Sequence, residues 1–195
     1  MKTFTKTTVG TCIIGAAAII GLVYLHTTED VIKHSPPVIP IPICEPIKDN
    51  RPEIISNWII KHSTRISDTT AKYIAEEVFK YPHPVLILSL IEVESKFTPT
   101  AISKAGALGL GQVMYNIHEK DLIALGIHKR RDLFDIDKNI KATSFILQMM
   151  LRKGEGDIVK ALHFYLGGKD GKYVNRIFSN YVHLSLEIEN ALPNM

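Results

Sequence analysis

The sequence has little cysteine and no large excess of either charge. Its 195 residues include two cysteines, and 23 Lys and Arg stand against 20 Asp and Glu. Two cysteines exclude a small fold held by several disulfides and a zinc module built on many cysteines. The near balance of charge offers no basic stripe, so we expect no nucleic-acid partner. The length and a hydrophobic share of 46% indicate one globular domain with appendages.

Strict alternation of apolar and polar residues, the signal of half-buried strands, is also lacking. From about Glu53 onward apolar residues recur at helical spacing instead. Asp68 is predicted as an N-cap, Pro84 as the first residue of a helix, and Gly154 and Gly167 as helix ends. The pattern predicts an all-α domain over 56–195, with helices at 69–81, 85–97, 137–150, 157–166, 173–181 and 183–192.

The N-terminal region contains a long uncharged run. Residues 7–28 carry no charge and would reach about 33 Å as a helix, enough to cross a bilayer core. We predict a cytoplasmic N-terminus at 1–7 and a single transmembrane helix at 8–28. Lys2 and Lys6 precede the run, so the positive-inside bias exports the rest of the chain. The alternative is a cleaved signal peptide, but no A-x-A-like site of small residues follows the run.

A proline-rich stretch follows this run. Six of the ten prolines lie between residues 36 and 52. Proline fixes φ and removes backbone donors, so residues 29–55 are predicted to form an extended, semi-rigid linker.

The helix predicted at 85–97 is apolar almost all round but contains Glu92 and Glu94. Residues two apart lie about 200° around a helix, so the two carboxyl groups point to opposite faces. A carboxyl group near apolar walls has a raised pKa, which suits a general acid near neutral pH. Periodicity alone leaves open which glutamate has that role.

The residues that follow carry a recognisable pattern. Residues 94–112 read E-S-K-F-T-P-T-A-I-S-K-A-G-A-L-G-L-G-Q. This run closely resembles the signature of the SLT-type lytic transglycosylases, E-S-x-(F/W)-x-P-x-A-x-S-x-x-G-A-x-G-L-M-Q, and departs from its fixed places only at the methionine. Residues 133–140, LFDIDKNI, and 161–168, ALHFYLGG, are similar to two later motifs of that family. The resemblance covers roughly residues 70–185.

The resemblance implies a lysozyme-like (goose-type/SLT) α-helical fold and a set of site residues. Glu94 matches the single catalytic acid of the family, and Glu92 then belongs to the other, structural face of the helix. Ser103 and Gln112 match polar groups near the bound sugar. Tyr165 matches the tyrosine that faces the catalytic carboxyl group. Tyr173 matches the tyrosine of a Y-V pair that follows in the family, and we predict that it binds the substrate by stacking on a sugar.

The resemblance also implies a reaction. Glu94 would protonate the oxygen that leaves the anomeric carbon of N-acetylmuramic acid, and the acetamido group of the substrate would stabilise the developing charge. Glu94, then a carboxylate, would deprotonate the muramic 6-hydroxyl, which closes a 1,6-anhydro ring. The expected partner is the peptidoglycan strand. No cofactor is implied, and the scattered histidines predict no metal site.

Two residues depart from the family pattern. Gly111 stands in place of the methionine, and Leu166 in place of an asparagine beside Tyr165. We expect these changes to widen or retune the sugar site. They keep two alternatives open, a lysozyme-like hydrolase and an inactive glycan-binding scaffold. The architecture predicts a membrane-anchored enzyme facing the periplasm or the cell exterior, which opens the wall locally for an envelope-spanning assembly or a phage.

Overall fold

A computed structural model describes residues 49–63 and 65–191 of the chain. Seven α-helices and one 3₁₀ helix follow one another in this part: α1 Arg51–His62, α2 Asp68–Val78, α3 Pro84–Ser95, α4 Tyr115–Ala124, the 3₁₀ helix Arg130–Phe134, α5 Ile136–Lys153, α6 Ile158–Leu166 and α7 Gly171–Ala191. The described residues form no β-strand, only isolated bridges beside Leu108. The predicted all-α class is therefore confirmed for these residues.

The predicted N-terminal segments fall largely outside this part. The cytoplasmic segment 1–7, the transmembrane helix 8–28 and most of the linker 29–55 lie outside the described residues. Among the residues that the structure covers, no helix combines the length and the apolar character needed to span a bilayer. Helix α1 begins at Arg51, before the predicted domain boundary at 56, because Pro52 lies in the first turn, where a missing N–H costs nothing.

Several helix boundaries agree with the sequence signals. Pro84 starts α3, Asp157 caps α6 by accepting from the Lys160 N–H at 3.0 Å, and Gly167 ends α6 in the left-handed conformation. The N-cap of α2 is Ser67 and not Asp68, because the Ser67 hydroxyl accepts from the Thr70 N–H.

Two helical segments differ from the prediction. The helices predicted at 173–181 and 183–192 are one continuous helix, α7, because neither glycine nor proline separates them. Helix α4 was not predicted, because it buries only Tyr115 and Leu122 and kinks at His118, so its apolar periodicity is weak.

The buried side chains form two clusters. The larger one is built mainly on α1, α2, α3 and α7, and it includes Trp58 and Phe97. The smaller one gathers Leu108, Val113, Leu122, Leu133 and Ile146 from the loop after α3, α4, the 3₁₀ helix and α5. Helix α3 packs on α7 and on α5. Its last turn carries Glu94, which meets α7 through Tyr173.

Candidate active site

Glu94 lies in the last turn of α3, and its carboxyl group meets a phenol from α7. The Tyr173 hydroxyl donates to Glu94 Oε1 at 2.5 Å. Tyr173 is buried, and Glu94 keeps a partly exposed surface. The predicted acid thus combines a largely buried carboxyl group with a fixed donor and an open side.

This setting changes the acidity of both groups. Burial raises the pKa of Glu94 above its usual range, while the bond from Tyr173 and the charge of Arg176 act in the opposite direction. Burial and the neighbouring carboxylate raise the pKa of Tyr173, so its hydroxyl keeps its proton and remains a donor. A carboxyl group with a raised pKa is the kind of group that general acid catalysis near neutral pH requires.

Glu92 lies in a different environment on the same helix. Its Oε2 atom is buried and has no hydrogen-bond partner among the described residues. Burial raises the pKa of Glu92, and four neighbouring basic side chains oppose this increase: His62, Arg176, Lys96 and His183. The raised pKa is thus common to both glutamates. Of these two glutamates, only Glu94 accepts a bond from a tyrosine of the described residues.

The backbone directly after Glu94 is held in an unusual conformation. Lys96 and Phe97 have φ angles of 50° and 56°, in the left-handed region that residues with a Cβ seldom adopt. Phe97 is buried and packs edge-on against Trp58, with ring centroids 5.8 Å apart. Such strain, of order 1–3 kcal/mol per residue, persists only where surrounding packing enforces it. The packing of Phe97 therefore fixes how α3 ends beside Glu94.

Residues 101–113, which we call the glycine loop, follow the end of α3. Within this loop Ser103 holds a tight turn: its hydroxyl accepts from the Ala107 N–H at 3.0 Å, and its carbonyl accepts from the Gly106 N–H. A hydroxyl that accepts in this way still has one proton to donate. Ser103 can therefore serve the turn and also offer a donor to a ligand.

Gln112 also serves the glycine loop. Its side-chain Nε2 donates to the carbonyl oxygens of Gly109 at 2.9 Å and Ala101 at 3.3 Å. An amide nitrogen has two protons, so both are used inside the loop. The Oε1 atom is the part of Gln112 that remains for a ligand, as an acceptor.

Asn139 of α5, which was not among the predicted site residues, organises the glycine loop. Its Nδ2 donates to the carbonyl oxygens of Leu108 and Leu133, and its Oδ1 accepts from the Gly111 N–H at 2.9 Å. Asn139 is 1% exposed. A Cβ on Gly109, whose φ is +72°, would lie 2.1 Å from Asn139 Nδ2, so this close approach requires glycine. The available signal was the resemblance of residues 133–140 to a family motif.

Gly111 is the first departure from the family pattern, and the space beside it is occupied by a side chain of another helix. A Cβ at Gly111 would lie 2.0 Å from Thr143 Oγ1, and Thr143 is fully buried. The sugar site is therefore not widened at this position, contrary to expectation, because Thr143 of α5 occupies the space. The second departure, Leu166, is 41% exposed at the end of α6.

The two predicted tyrosines have different partners. Tyr165 donates to the Gly111 carbonyl oxygen at 2.8 Å, whereas Tyr173 donates to Glu94. The resemblance assigned the phenol facing the acid to Tyr165. Burial and the charge of Glu94 raise the pKa of Tyr165, so it lies within electrostatic range of the acid without bonding to it. The structure thus brings Glu94, Tyr173 and Tyr165 together.

No group of three or more His, Cys, Asp or Glu side chains is placed to hold a metal ion within 49–63 and 65–191. A cleft of about 400 Å³ adjoins the end of α3. It is lined by polar side chains, including Ser95 and Lys96, the two residues that follow Glu94.

Comparison with known proteins identifies the family. The family profile described as "Transglycosylase SLT domain" matches residues 73–177. Similar proteins include the "Membrane-bound lytic murein transglycosylase C" of Sodalis glossinidius, 33% identical over 119 residues, which are 55% of this chain and 33% of that protein. The proteins of the same name from Photorhabdus laumondii and Yersinia pestis are 31% and 33% identical, over 55% and 52% of this chain and 32% and 27% of theirs.

The chain spans about a third of the length of these curated relatives. No solved structure matches it. The family profile covers more than half of the chain, including the whole run from Glu94 through the glycine loop to Tyr173. The chain therefore belongs to the transglycosylase SLT domain family.

Proposed function

We propose that the chain is a peptidoglycan lytic transglycosylase in which Glu94 acts first as acid and then as base. The observation that carries this proposal is the largely buried Glu94 carboxyl group, with its raised pKa and its bond from Tyr173, inside the segment that the family profile matches. The bond to be cleaved is the β-1,4 linkage from N-acetylmuramic acid to N-acetylglucosamine.

The reaction needs one carboxyl group and no added water. Protonated Glu94 donates its proton to the glycosidic oxygen, which leaves as a hydroxyl of N-acetylglucosamine while its bond to the anomeric carbon breaks. The acetamido group of the substrate stabilises the positive charge at that carbon. The Glu94 carboxylate then takes the proton of the muramic 6-hydroxyl, whose oxygen bonds to the anomeric carbon and closes the 1,6-anhydro ring. Glu94 ends protonated, ready for another cycle.

The neighbours of Glu94 support both steps. Tyr173 stabilises the carboxylate that forms after the first proton transfer, because a donor to the charged form favours it. Ser103 and Gln112 are proposed to bind the sugar with the groups that the glycine loop leaves to them, a hydroxyl proton and an amide oxygen. A nucleophile that is already part of the substrate gains from orientation, which rigid loop walls supply.

The test is the chemistry of the released product. The full chain, purified in mild detergent, is incubated with purified peptidoglycan beside a Glu94→Gln chain, and the products are analysed by mass spectrometry. Anhydro-ended products that disappear in the Glu94→Gln chain support the proposal. Reducing-ended products, heavier by one water, would assign a lysozyme-like hydrolase. Binding to the wall without any product would assign a glycan-binding scaffold.

We also propose that residues 8–28 anchor the enzyme in the cytoplasmic membrane, with the helical domain in the periplasm or outside. Support comes from the uncharged run 7–28 and its flanking lysines. The related transglycosylases are named membrane-bound. Fractionation of expressing cells, with alkaline extraction and protease added from the outside, tests this placement. A chain released by alkali, or shortened by removal of its N-terminus, would contradict the uncleaved anchor.

An anchored enzyme on a semi-rigid linker reaches only nearby wall. We therefore propose local opening of the wall for an envelope-spanning assembly or a phage as its role. A fluorescent fusion should be found in foci that depend on that assembly. An even distribution, with no assembly affected by loss of the protein, would contradict it.

A further inference from the structure

A cavity of about 400 Å³ between the ends of α1 and α3 has a basic, polar lining. All six of its lining residues are polar or charged: His62, Ser63, Arg65, Ser95, Lys96 and Thr98. None of them is acidic, and three carry nitrogen groups that are cationic when protonated. Such a lining suits an anion that can accept several hydrogen bonds.

This cavity belongs to the face of α3 that carries Glu92, and not to the face that carries Glu94. His62 and Lys96 of the lining both lower the pKa of Glu92. The pKa of Glu94 responds instead to groups of α7. Residues two apart on a helix project to opposite sides. A ligand in this cavity would therefore bind apart from the proposed catalytic acid.

The lysine and the arginine of the cavity have no anionic partner. Arg65 and Lys96 are exposed, and neither forms an ion pair with another residue that the structure describes. Lys96 thus acts on Glu92 without pairing with it, and burial raises the pKa of this carboxyl group in favour of its neutral form. Both cations can therefore meet the charge of an incoming anion.

Ser63 adds a neutral donor to the two cations. This residue is 9% exposed, and its hydroxyl accepts a weak bond, at 3.5 Å, from the Arg65 N–H. A hydroxyl that accepts in this way keeps its own proton for donation. A largely buried hydroxyl with a proton to donate thus lies beside the guanidinium-bearing residue.

His62 is held in a fixed orientation at the same cavity. Its Nδ1 lies 2.8 Å from the Trp58 carbonyl oxygen, and its ring stacks on that of Trp58 with centroids 4.2 Å apart. A carbonyl oxygen only accepts, so Nδ1 carries a proton and Nε2 is the nitrogen left for a ligand. An anion nearby favours the protonated ring, in which Nε2 is a donor.

These donors exceed what a carboxylate needs. A guanidinium, an ammonium and a hydroxyl together offer more hydrogen bonds than the two oxygens of a carboxylate require, whereas a phosphate group has more oxygens and a charge of up to −2. No lining residue is apolar, so the cavity offers nothing that would enter the boundary of a membrane. The lining thus favours a phosphate on a sugar or polyol over a phospholipid headgroup.

We propose that this cavity binds a phosphate group carried on a sugar or polyol, the repeating unit of an anionic wall polymer, through Arg65, Lys96 and Ser63. The bound polymer holds the helical domain at the wall by a contact separate from Glu94. The choice of a wall polymer as the source of the phosphate rests on the proposed function. The binding of the phosphate group does not.

The first experiment titrates the full chain, in mild detergent, with glycerol 3-phosphate by calorimetry at constant ionic strength. Arg65→Gln with Lys96→Gln should weaken binding about tenfold, since two charged contacts are lost. Lys120→Gln with Arg152→Gln removes two exposed charges outside the cavity and should leave the affinity unchanged. Equal affinities in the two double variants, or no binding by the unmodified chain, would overturn the proposal.

Other anions identify the ligand in the same titration. Acetate should bind more weakly than glycerol 3-phosphate, because it has fewer oxygens and less charge. Equal affinities would make the cavity a general anion site, and tighter binding of inorganic phosphate would make free phosphate the ligand. Displacement of the probe by phosphatidylglycerol micelles as strong as that by soluble poly(glycerol phosphate), at equal phosphate concentration, would assign a lipid. Each of these three results would overturn the assignment to a wall polymer.

A Glu94→Gln chain separates this cavity from the proposed active site. Its affinity for glycerol 3-phosphate should equal that of the unmodified chain, because the cavity lies on the Glu92 face of α3. A marked loss of affinity would place the ligand at the active site and overturn the proposal. Since the titration involves no turnover, a chain that releases no product from peptidoglycan would contradict the proposed function and leave this result standing.

The second experiment measures retention of the Glu94→Gln chain on walls that carry a glycerol-phosphate polymer and on the same walls stripped with hydrofluoric acid. Retention should be about fivefold greater on the untreated walls. The added substitutions Arg65→Gln and Lys96→Gln should abolish this difference. Equal retention on both walls would overturn the polymer as the source of the phosphate, and a difference that persists in the substituted chain would overturn the cavity as its binding site.

Discussion

The two sides of the proposed active site are built in different ways. On one side, Glu94 and Tyr173 project from regular helices and meet through a single side-chain bond. On the other side, the glycine loop has no regular structure, and the buried amide of Asn139 holds its backbone through Leu108, Leu133 and Gly111. The first side contains the groups proposed for the proton chemistry, and the second holds a loop backbone in place.

This difference has a consequence for mutation. A buried carboxyl group such as that of Glu94 costs stability, because desolvation disfavours its charged form. A buried amide with its donors and acceptors satisfied stabilises the fold, and its loss leaves backbone groups unpaired. Substitutions on the helix side should therefore separate activity from stability, and substitutions at the loop should change both together.

The largest effect is expected for Glu94→Gln. Loss of the general acid should lower product release about 10³-fold. The pKa of Glu94 is higher in the folded state than in the unfolded state. Its unfavourable contribution to stability is therefore absent below the unfolded-state pKa and grows as the pH rises through the folded-state pKa. The variant should therefore gain stability relative to the unmodified chain at about pH 8 and not at about pH 4, in urea titrations.

Glu92→Gln is the matched control for this change, since Glu92 also has a pKa raised by burial. It should give a stability gain of the same sign while turnover continues. Turnover lost in Glu92→Gln and retained in Glu94→Gln would reverse the assignment of the acid.

The next largest effect is expected at the loop, for Asn139→Leu. Removing the amide leaves the Leu133 carbonyl group and the Gly111 N–H without partners, while the Leu108 carbonyl group keeps only its bond from the Val113 N–H, at a cost of about 3 kcal/mol in the free energy of unfolding. Activity should fall with stability, because the loop loses its support. Asn175→Leu, on an exposed position of α7, should change the unfolding free energy by less than about 0.5 kcal/mol. Similar losses in both variants would show that Asn139 does not hold the loop.

A smaller effect is expected for Gly111→Ala. The added methyl group overlaps Thr143, so the free energy of unfolding should fall by about 2 kcal/mol. Thr143→Ala in the same chain removes the two closest atoms and should restore part of this loss. Gly168→Ala, where a Cβ meets nothing within 4 Å, is the control. A Gly111→Ala chain as stable as the Gly168→Ala chain would contradict the close packing at Gly111.

The comparison also shows what the sequence could predict. Helix α3, its start at Pro84 and the position of Glu94 near its end follow from local composition and from a nineteen-residue pattern. The pattern identified Ser103 and Gln112 but not their backbone bonds within the loop. Local signals predict elements because capping and periodicity act over a few residues.

The parts that escaped prediction depend on contacts between distant residues. The pairing of Glu94 with Tyr173 joins positions 79 residues apart, and that of Gly111 with Asn139 joins positions 28 apart. The filling of Gly111 by Thr143 has the same character, because one side chain compensates for another on a different element. A single sequence contains no periodicity that reports such pairs.

The smallest effect is expected for Tyr173→Phe, and it tests the two tyrosines against each other. Loss of the hydroxyl removes the bond that lowers the pKa of Glu94, so this pKa should rise further. Because the free enzyme must hold its proton to act as an acid, the alkaline limb of the kcat/KM profile should move to higher pH. The free energy of unfolding should fall by about 1 kcal/mol for the lost hydrogen bond.

Tyr165→Phe is the matched control, because it loses a bond of similar kind to the Gly111 carbonyl oxygen and none to the acid. It should lower stability by a similar amount and leave the alkaline limb in place. If the alkaline limb moves in Tyr165→Phe and stays in place in Tyr173→Phe, Tyr165 is the tyrosine that faces the acid. Since both variants remove one buried hydroxyl, only the pH profile distinguishes a phenol that tunes the acid from one that supports the loop.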